Sequence, residues 1–264
     1  MLKYLIYYKV AFKDILAYKA DFIIYIIANM VFFFVYFAIW KNIYTSTSTI
    51  EIHNYTLINT VTYYFVTSFI FRLDPTGAMF LNETVWMGTF TNDLIKPWSA
   101  VLIDISYTLA ELSVRVLLYL PFCLFIFIVA FNYLSLPSLG NLVYFLITVI
   151  LGIFLNIAFY EIFHALCFHF GDQEANISLL NYLVALPAGG LFPLAFLPET
   201  LHKITNVLPF RFLFDTPANI YLGKLTTSEI VSSWGQMILW IVLFFLIFYF
   251  IYRSGLKKYT GTGR

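Results

Sequence analysis

The chain reads as an all-α polytopic membrane protein, a single transmembrane domain over residues 1–264. Three observations predict this class. Of the 264 residues, 61% are hydrophobic and only 11% are charged, against roughly 25% charged in soluble domains. Phe supplies 30 residues and Tyr 20, more apolar surface than a soluble core encloses. The apolar residues also fall in long runs, unlike the short alternating segments of an outer-membrane barrel. A net charge of +1 gives no field that would gather nucleic acid.

A bilayer core takes about 20 residues of helix, and six stretches approach that length. Residues 1–21 come first, carrying Lys3, Lys9, Lys13 and Lys19 among Tyr and Leu. They read as a helix lying at the membrane interface. Phe22 to Trp40 is too long for a signal-peptide core, and no small-residue cleavage site follows, so an uncleaved first span is expected. The second run is Leu57–Phe71, the third Leu112–Phe131 and the fourth Leu142–Leu166. The fifth, Leu179–Phe196, is broken by Pro187, Gly189, Gly190 and Pro193, and the sixth is Met237–Tyr252.

Six crossings place both termini on one side. Ten of the 15 Lys and Arg then fall on the terminal side and four on the other, with Arg115 in or beside the third span. The positive-inside bias puts both termini in the cytoplasm.

Two connections stand out in this topology. The cytoplasmic one, residues 72–99, contains LNETVWMGTFTNDLIKPWS from Leu81 to Ser99. Asn82 or Thr84 is placed to cap a short helix, and Pro97 closes the segment. Its mix of apolar and charged residues suits either docking on a partner or lying on lipid. The extracytoplasmic connection, residues 197–234, holds apolar, proline-rich pieces too short to span. These read as a re-entrant helical hairpin above the fifth span, or as a surface loop with an interfacial helix.

Polar residues inside the spans are the remaining candidates. Glu111 and Arg115 share a helical face at i,i+4, as a structural ion pair or as charges facing a pathway. Asp104 precedes them at the third span. Glu161 and His164 form one Glu-x-x-His in the fourth span, with His169 beyond. Di-iron bundles need that motif twice with further carboxylates, so no metal site is expected. The pair reads as interhelical hydrogen bonding, or as polar, proton-sensitive lining of a pathway. Cys123 and Cys167 make no disulfide framework.

The two connections carry a resemblance. Glu83, Gly88, Leu94–Ile95 and Pro97 in the first match a pattern in integral membrane subunits of ABC-2-type ATP-binding-cassette transporters. So do Gly190, Pro193, Pro198, Leu208–Pro209–Phe210, Pro217 and Ile220–Gly223 in the second. The chain is most similar to the bacterial branch of about 260 residues. Trp86–Met87 stands where that branch often has a basic residue. The resemblance implies an exporter permease in the bacterial cytoplasmic membrane. It would act as a dimer with a second copy or a homologous permease, surrounded by lipid. A separate ATP-binding-cassette ATPase would hold the ATP and Mg²⁺ and drive it. On this resemblance Glu83, Gly88, Asp93, Leu94, Lys96 and Pro97 lie at or near the ATPase contact, on a coupling helix. Glu111, Arg115, Glu161, His164, Gly190, Pro193 and Pro198 are candidates for pathway or gate.

The residues agree that ATP hydrolysis belongs to another chain. No GxxxxGK[ST] occurs, and Gly223–Lys224 lacks both the upstream glycine and the hydroxyl residue after it. An intramembrane enzyme has only Glu161, His164 and His169 to work with. A scaffold or channel not driven by ATP is the alternative, though no filter or ring of charges is present.

Overall fold

The computed structural model describes residues 2–17, 19–47, 50–73, 80–96 and 99–261. Among them are eleven α-helices, short 3-10 turns and no strand. Helix α1 is Leu2–Ala17 and α2 is Lys19–Ser46; α3 is Leu57–Arg72. Two short helices, α4 (Phe80–Trp86) and α5 (Thr91–Leu94), precede the 30-residue α6 (Ala100–Val129). Then come the 32-residue α7 (Leu139–Phe170) and the 12-residue α8 (Glu174–Ala185). Helices α9 (Glu199–Val207) and α10 (Asp215–Tyr221) lead to the 32-residue α11 (Thr227–Lys258).

Among the described residues, four helical segments are long and apolar enough to cross a membrane: Ile26–Ser46, Ala100–Val129, Leu139–Phe170 and Thr227–Lys258. The other two expected spans are shorter. Helix α3, at 16 residues, is about 24 Å long, and the 12 residues of α8 give about 18 Å. Helix α8 stops at Ala185, two residues before Pro187, whose missing N–H and ring cannot continue it. Helix α3 has Thr60, Val61, Thr62, Tyr63, Val66, Thr67 and Ile70 buried in protein, so its length is not set by lipid.

Local signals fix the starts of the long helices. The Ser138 hydroxyl accepts from Asn141 N at 3.1 Å and begins α7. Thr226 and Glu229 form a reciprocal capping box at the start of α11. That box starts the helix ten residues before the apolar run at Met237.

Helices α7 and α11 run side by side in the same direction. Trp234 Nε1 donates to Thr148 Oγ1 at 2.8 Å near their starts, and Phe168 lies against Gly255 near their ends. Met237, Phe244 and Phe248 are buried along the seam. Helix α6 runs antiparallel to α7, since Asp104 at its start meets His164 near the end of α7. Helix α1 follows the first half of α6, with Tyr8 Oη donating to Ser113 Oγ at 2.8 Å. The chain beyond α9 lies along α7. Phe210 meets Phe159 edge-on, Phe212 is beside Gly152, Tyr221 meets Phe145 and Gly223 reaches Asn141.

Gly255 is a spatial requirement. A Cβ there would sit 2.6 Å from the Cβ of Phe168, below contact distance. Gly235 on the same helix has open space around its Cβ direction. Gly255→Ala is therefore expected to lower stability by about 1–3 kcal/mol through overpacking. Gly235→Ala should leave it unchanged or raise it by up to about 1 kcal/mol. Thermal unfolding of both variants in detergent checks this, and equal shifts would refute the packing account.

Candidate functional site

The segment from α4 to α5 has two faces. On one, Leu81, Val85 and Phe90 are buried against Ala165, Cys167 and Phe168 of α7 and Phe248 of α11. The Phe90 ring meets Phe168 and Tyr259 edge-on, both at 5.5 Å. On the other, Trp86, Met87 and Leu94 are exposed and Ile95 is 83% exposed, beside exposed Glu83. A reversal between the helices makes this possible. Gly88 has φ +75°, where a side chain would clash with its own backbone, and Phe90 N returns to Thr84 O at 3.0 Å.

Polar bonds fix the segment to the long helices. Leu81 N, in the first turn of α4, donates to Asp104 Oδ1 of α6 at 3.1 Å. Asn82 Nδ2 donates to Asp172 Oδ1 at 2.8 Å, and Asn82 Oδ1 accepts from Gln173 N at 3.0 Å. The Asn82 amide and the Glu174 N–H hold the Asp172 carboxyl below the usual carboxylate range. The clamp is thus fully formed at neutral pH, and its contribution is lost only as pH falls through that lowered value.

These bonds correct the expected caps. Asn82 and Thr84 lie inside α4, because Asn82 is committed to the α7–α8 junction and Thr84 Oγ1 donates back to Phe80 O at 2.8 Å. Asp93 is buried and accepts from Lys96 Nζ at 2.9 Å, a bond that raises the Lys96 ammonium pKa. Pro97 lies outside the described residues. Tyr4 Oη of α1 accepts from Ser99 N at 3.1 Å.

A second polar lock lies away from α4, where the chain between α9 and α10 passes α7. Gly189 has φ +78°, and a Cβ there would sit 2.6 Å from Tyr63 Oη. The hydroxyl of Tyr63 lies 2.7 Å from Gly189 O and 2.9 Å from Asp215 Oδ1. Asp215 Oδ1 also accepts from Leu194 N at 3.1 Å, and Asp215 N donates to Ala188 O at 3.0 Å. One carboxylate thereby holds α3, the 188–194 turn and α10 together. Gly190 is close by, with N bonded to Ala185 O at 2.9 Å, but its neighbour Gly189 carries the strained conformation. Pro193 is buried before a 3-10 turn, and exposed Pro198 precedes α9. Near the lock, Lys224 Nζ lies 3.9 Å from the Tyr55 ring centroid and donates to Asn54 O at 2.6 Å. Burial lowers the pKa of this ammonium.

The intrahelical candidates also meet. Arg115 Nε donates to Glu111 Oε1 at 3.0 Å, an ion pair along α6. Glu161 and His164 share a face of α7 and are joined by Asp104 from α6. His169 instead reaches Ile251 O of α11 at 3.4 Å. Asp104, Tyr63, Asn82, Asp172 and Asp215 are not legible in the sequence as a functional set. Their one signal was a polar residue within or beside an apolar run.

A family model described as "ABC-2 family transporter protein" matches residues 30–263. No curated protein and no solved structure matches the chain. The match takes in the bundle, the two-faced α4–α5 segment and the Asp215 lock alike. The chain belongs to the ABC-2 transporter family, as a multi-pass membrane permease of an ATP-binding-cassette transporter.

Proposed function

We propose that this permease is one half of the membrane unit of an exporter, coupled through α4–α5 to a separate ATP-binding-cassette ATPase. The observation that carries the reading is the two-faced segment. Phe90, Leu81 and Val85 anchor it, while Trp86, Met87, Leu94 and Ile95 present an apolar face next to Glu83 and Lys96. Family membership implies an ATPase and a lipid setting, and the Lys and Arg distribution supports a cytoplasmic position for this end. Two permeases, identical or homologous, then enclose the pathway between them.

The same topology has six membrane elements in the bacterial cytoplasmic membrane. Four are full spans. Helix α3, buried in protein, and α8, which buries only Ile177 and Val184, complete the set as shorter elements, and α1 lies at the cytoplasmic interface beside α6. The stretch from α9 through α10 dips along α7 as a re-entrant hairpin, a shape tolerated where neighbours satisfy the backbone. Asp215 and Tyr63 hold it shut at the extracytoplasmic end. ATP binding shifts the population between inward-open and outward-open pairs by moving the two coupling segments.

Purifying the tagged chain in mild detergent and counting co-eluting subunits by mass spectrometry tests the assembly. Two permeases with two ATPase chains are expected. An ATPase-free oligomer whose preparation shows no ATP hydrolysis would favour a scaffold or channel. Trp86→Ala should weaken ATPase association about 30-fold, near 2 kcal/mol for an exposed aromatic anchor, leaving the fold intact by circular dichroism. An unchanged affinity would remove Trp86 from the contact.

The lock gives a separate expectation. Tyr63→Phe removes one buried hydroxyl from Gly189 O and Asp215, at about 1–3 kcal/mol. Thermal stability should fall by that amount and substrate-independent ATPase activity should rise. A variant with unaltered stability would show that the hydroxyl is dispensable.

A further inference from the structure

We propose that Asp104, Glu161 and His164 form a binding site for a divalent first-row transition-metal cation. All three side chains are enclosed, at 0%, 2% and 3% exposure. One donor atom from each lies within 4.8 Å of the others. His164 Nδ1 is 3.3 Å from Asp104 Oδ2. Glu161 Oε2 and His164 Nε2 are buried and have no hydrogen-bond partner. Among the described residues, neither carboxylate is paired with a lysine or arginine.

Two buried carboxyl groups side by side are costly to ionise; here Asp104 has Leu81 N and His164 as partners, while one Glu161 oxygen has none. A divalent cation cancels both charges and gives the free Glu161 oxygen a partner. Bonds of about 2.0–2.2 Å to such an ion put ligand atoms about 3–4 Å apart, so small side-chain shifts close the cluster around it. Two carboxylates with an imidazole suit Mn²⁺, Fe²⁺, Co²⁺ or Zn²⁺, whereas Ca²⁺ and Mg²⁺ favour all-oxygen shells. The one Glu-x-x-His that was insufficient in the sequence gains its third ligand from α6, 57 residues upstream of Glu161.

The site would have a mechanical consequence. Asp104 Oδ1 accepts from Leu81 N of α4 at 3.1 Å, so the outer oxygen of one ligand is bonded to the coupling segment. Groups in that position orient a ligand and tune its affinity. Bound metal would join α6 to α7 and stiffen the seat of α4.

The test uses the full chain in lipid nanodiscs, purified through a tag without histidine and stripped with chelator. Mn²⁺, Co²⁺ and Zn²⁺ are titrated in turn, with visible absorption for Co²⁺ and elemental analysis for stoichiometry. About one ion per chain is expected, with Co²⁺ displaced by Zn²⁺, and Glu161→Gln or His164→Ala should lower affinity at least about ten-fold. Absence of saturable binding by the unsubstituted chain would overturn the proposal and leave a carboxyl pair neutralised by protons. Binding undiminished in both variants would also overturn it, placing the ion elsewhere. The unsubstituted chain decides the matter if a variant fails to fold. Because the readout is binding to the permease alone, its failure would leave the ATPase-coupling reading intact.

Discussion

Close contact between α7 and α11 is the constraint on which the rest of the architecture at the α4–α5 end depends. It exists because residue 255 has no side chain, so Phe168 can lie directly on the backbone of α11. The Phe168 ring then meets Tyr252, Tyr259 and Phe90 edge-on. Through Phe90 the α4–α5 segment acquires its anchored face, and Trp86 and Ile95 are thereby left facing outward. A wider α7–α11 seam would dissolve the aromatic cluster and leave α4 without a seat.

Short elements in this fold are held by long-range polar bonds. Isolated helices of seven residues such as α4 and α10 cannot persist, because nucleation costs more than so few hydrogen bonds return. Each is tied by a carboxylate on another element or at its own start. Asp104 receives the Leu81 N–H, Asp172 receives the Asn82 amide, and Asp215 joins Tyr63 to Leu194 N. In an apolar surrounding, the cost of leaving such groups unpaired makes their pairing decisive.

Composition and long apolar runs made the class legible, and the motifs in the two connections made the family legible. The ends of the third run were not. An apolar window starts at Leu112 because Asp104 and Glu111 depress it, yet α6 starts at Ala100, since Asp104 is met by α4 and α7 and Glu111 by Arg115 of α6 itself. Gly190 was singled out where Gly189 carries the positive φ; two adjacent glycines are indistinguishable until Tyr63 is placed against one of them. Asp104 was visible as a charge near a span. Its companions were not, because 60 residues separate it from His164 and no local periodicity links α6 to α7.

The bonds around α4 also limit how force can pass through the molecule. Moving α4 relative to α6 would break the bond from Leu81 N to Asp104. Moving it relative to the α7–α8 junction would break both Asn82 bonds. Hydrogen bonds to charged groups contribute about 1.5–3 kcal/mol each, and the burial of Phe90 adds to their sum. In the proposed alternating access, a redistribution between states a few kcal/mol apart, the lower-energy route keeps these contacts. The α4–α5 segment, the first turns of α6 and the last turns of α7 then move as one body. On the proposed coupling role of α4–α5, a displacement at Trp86 would be carried into α6 and α7 through these contacts without any element unfolding.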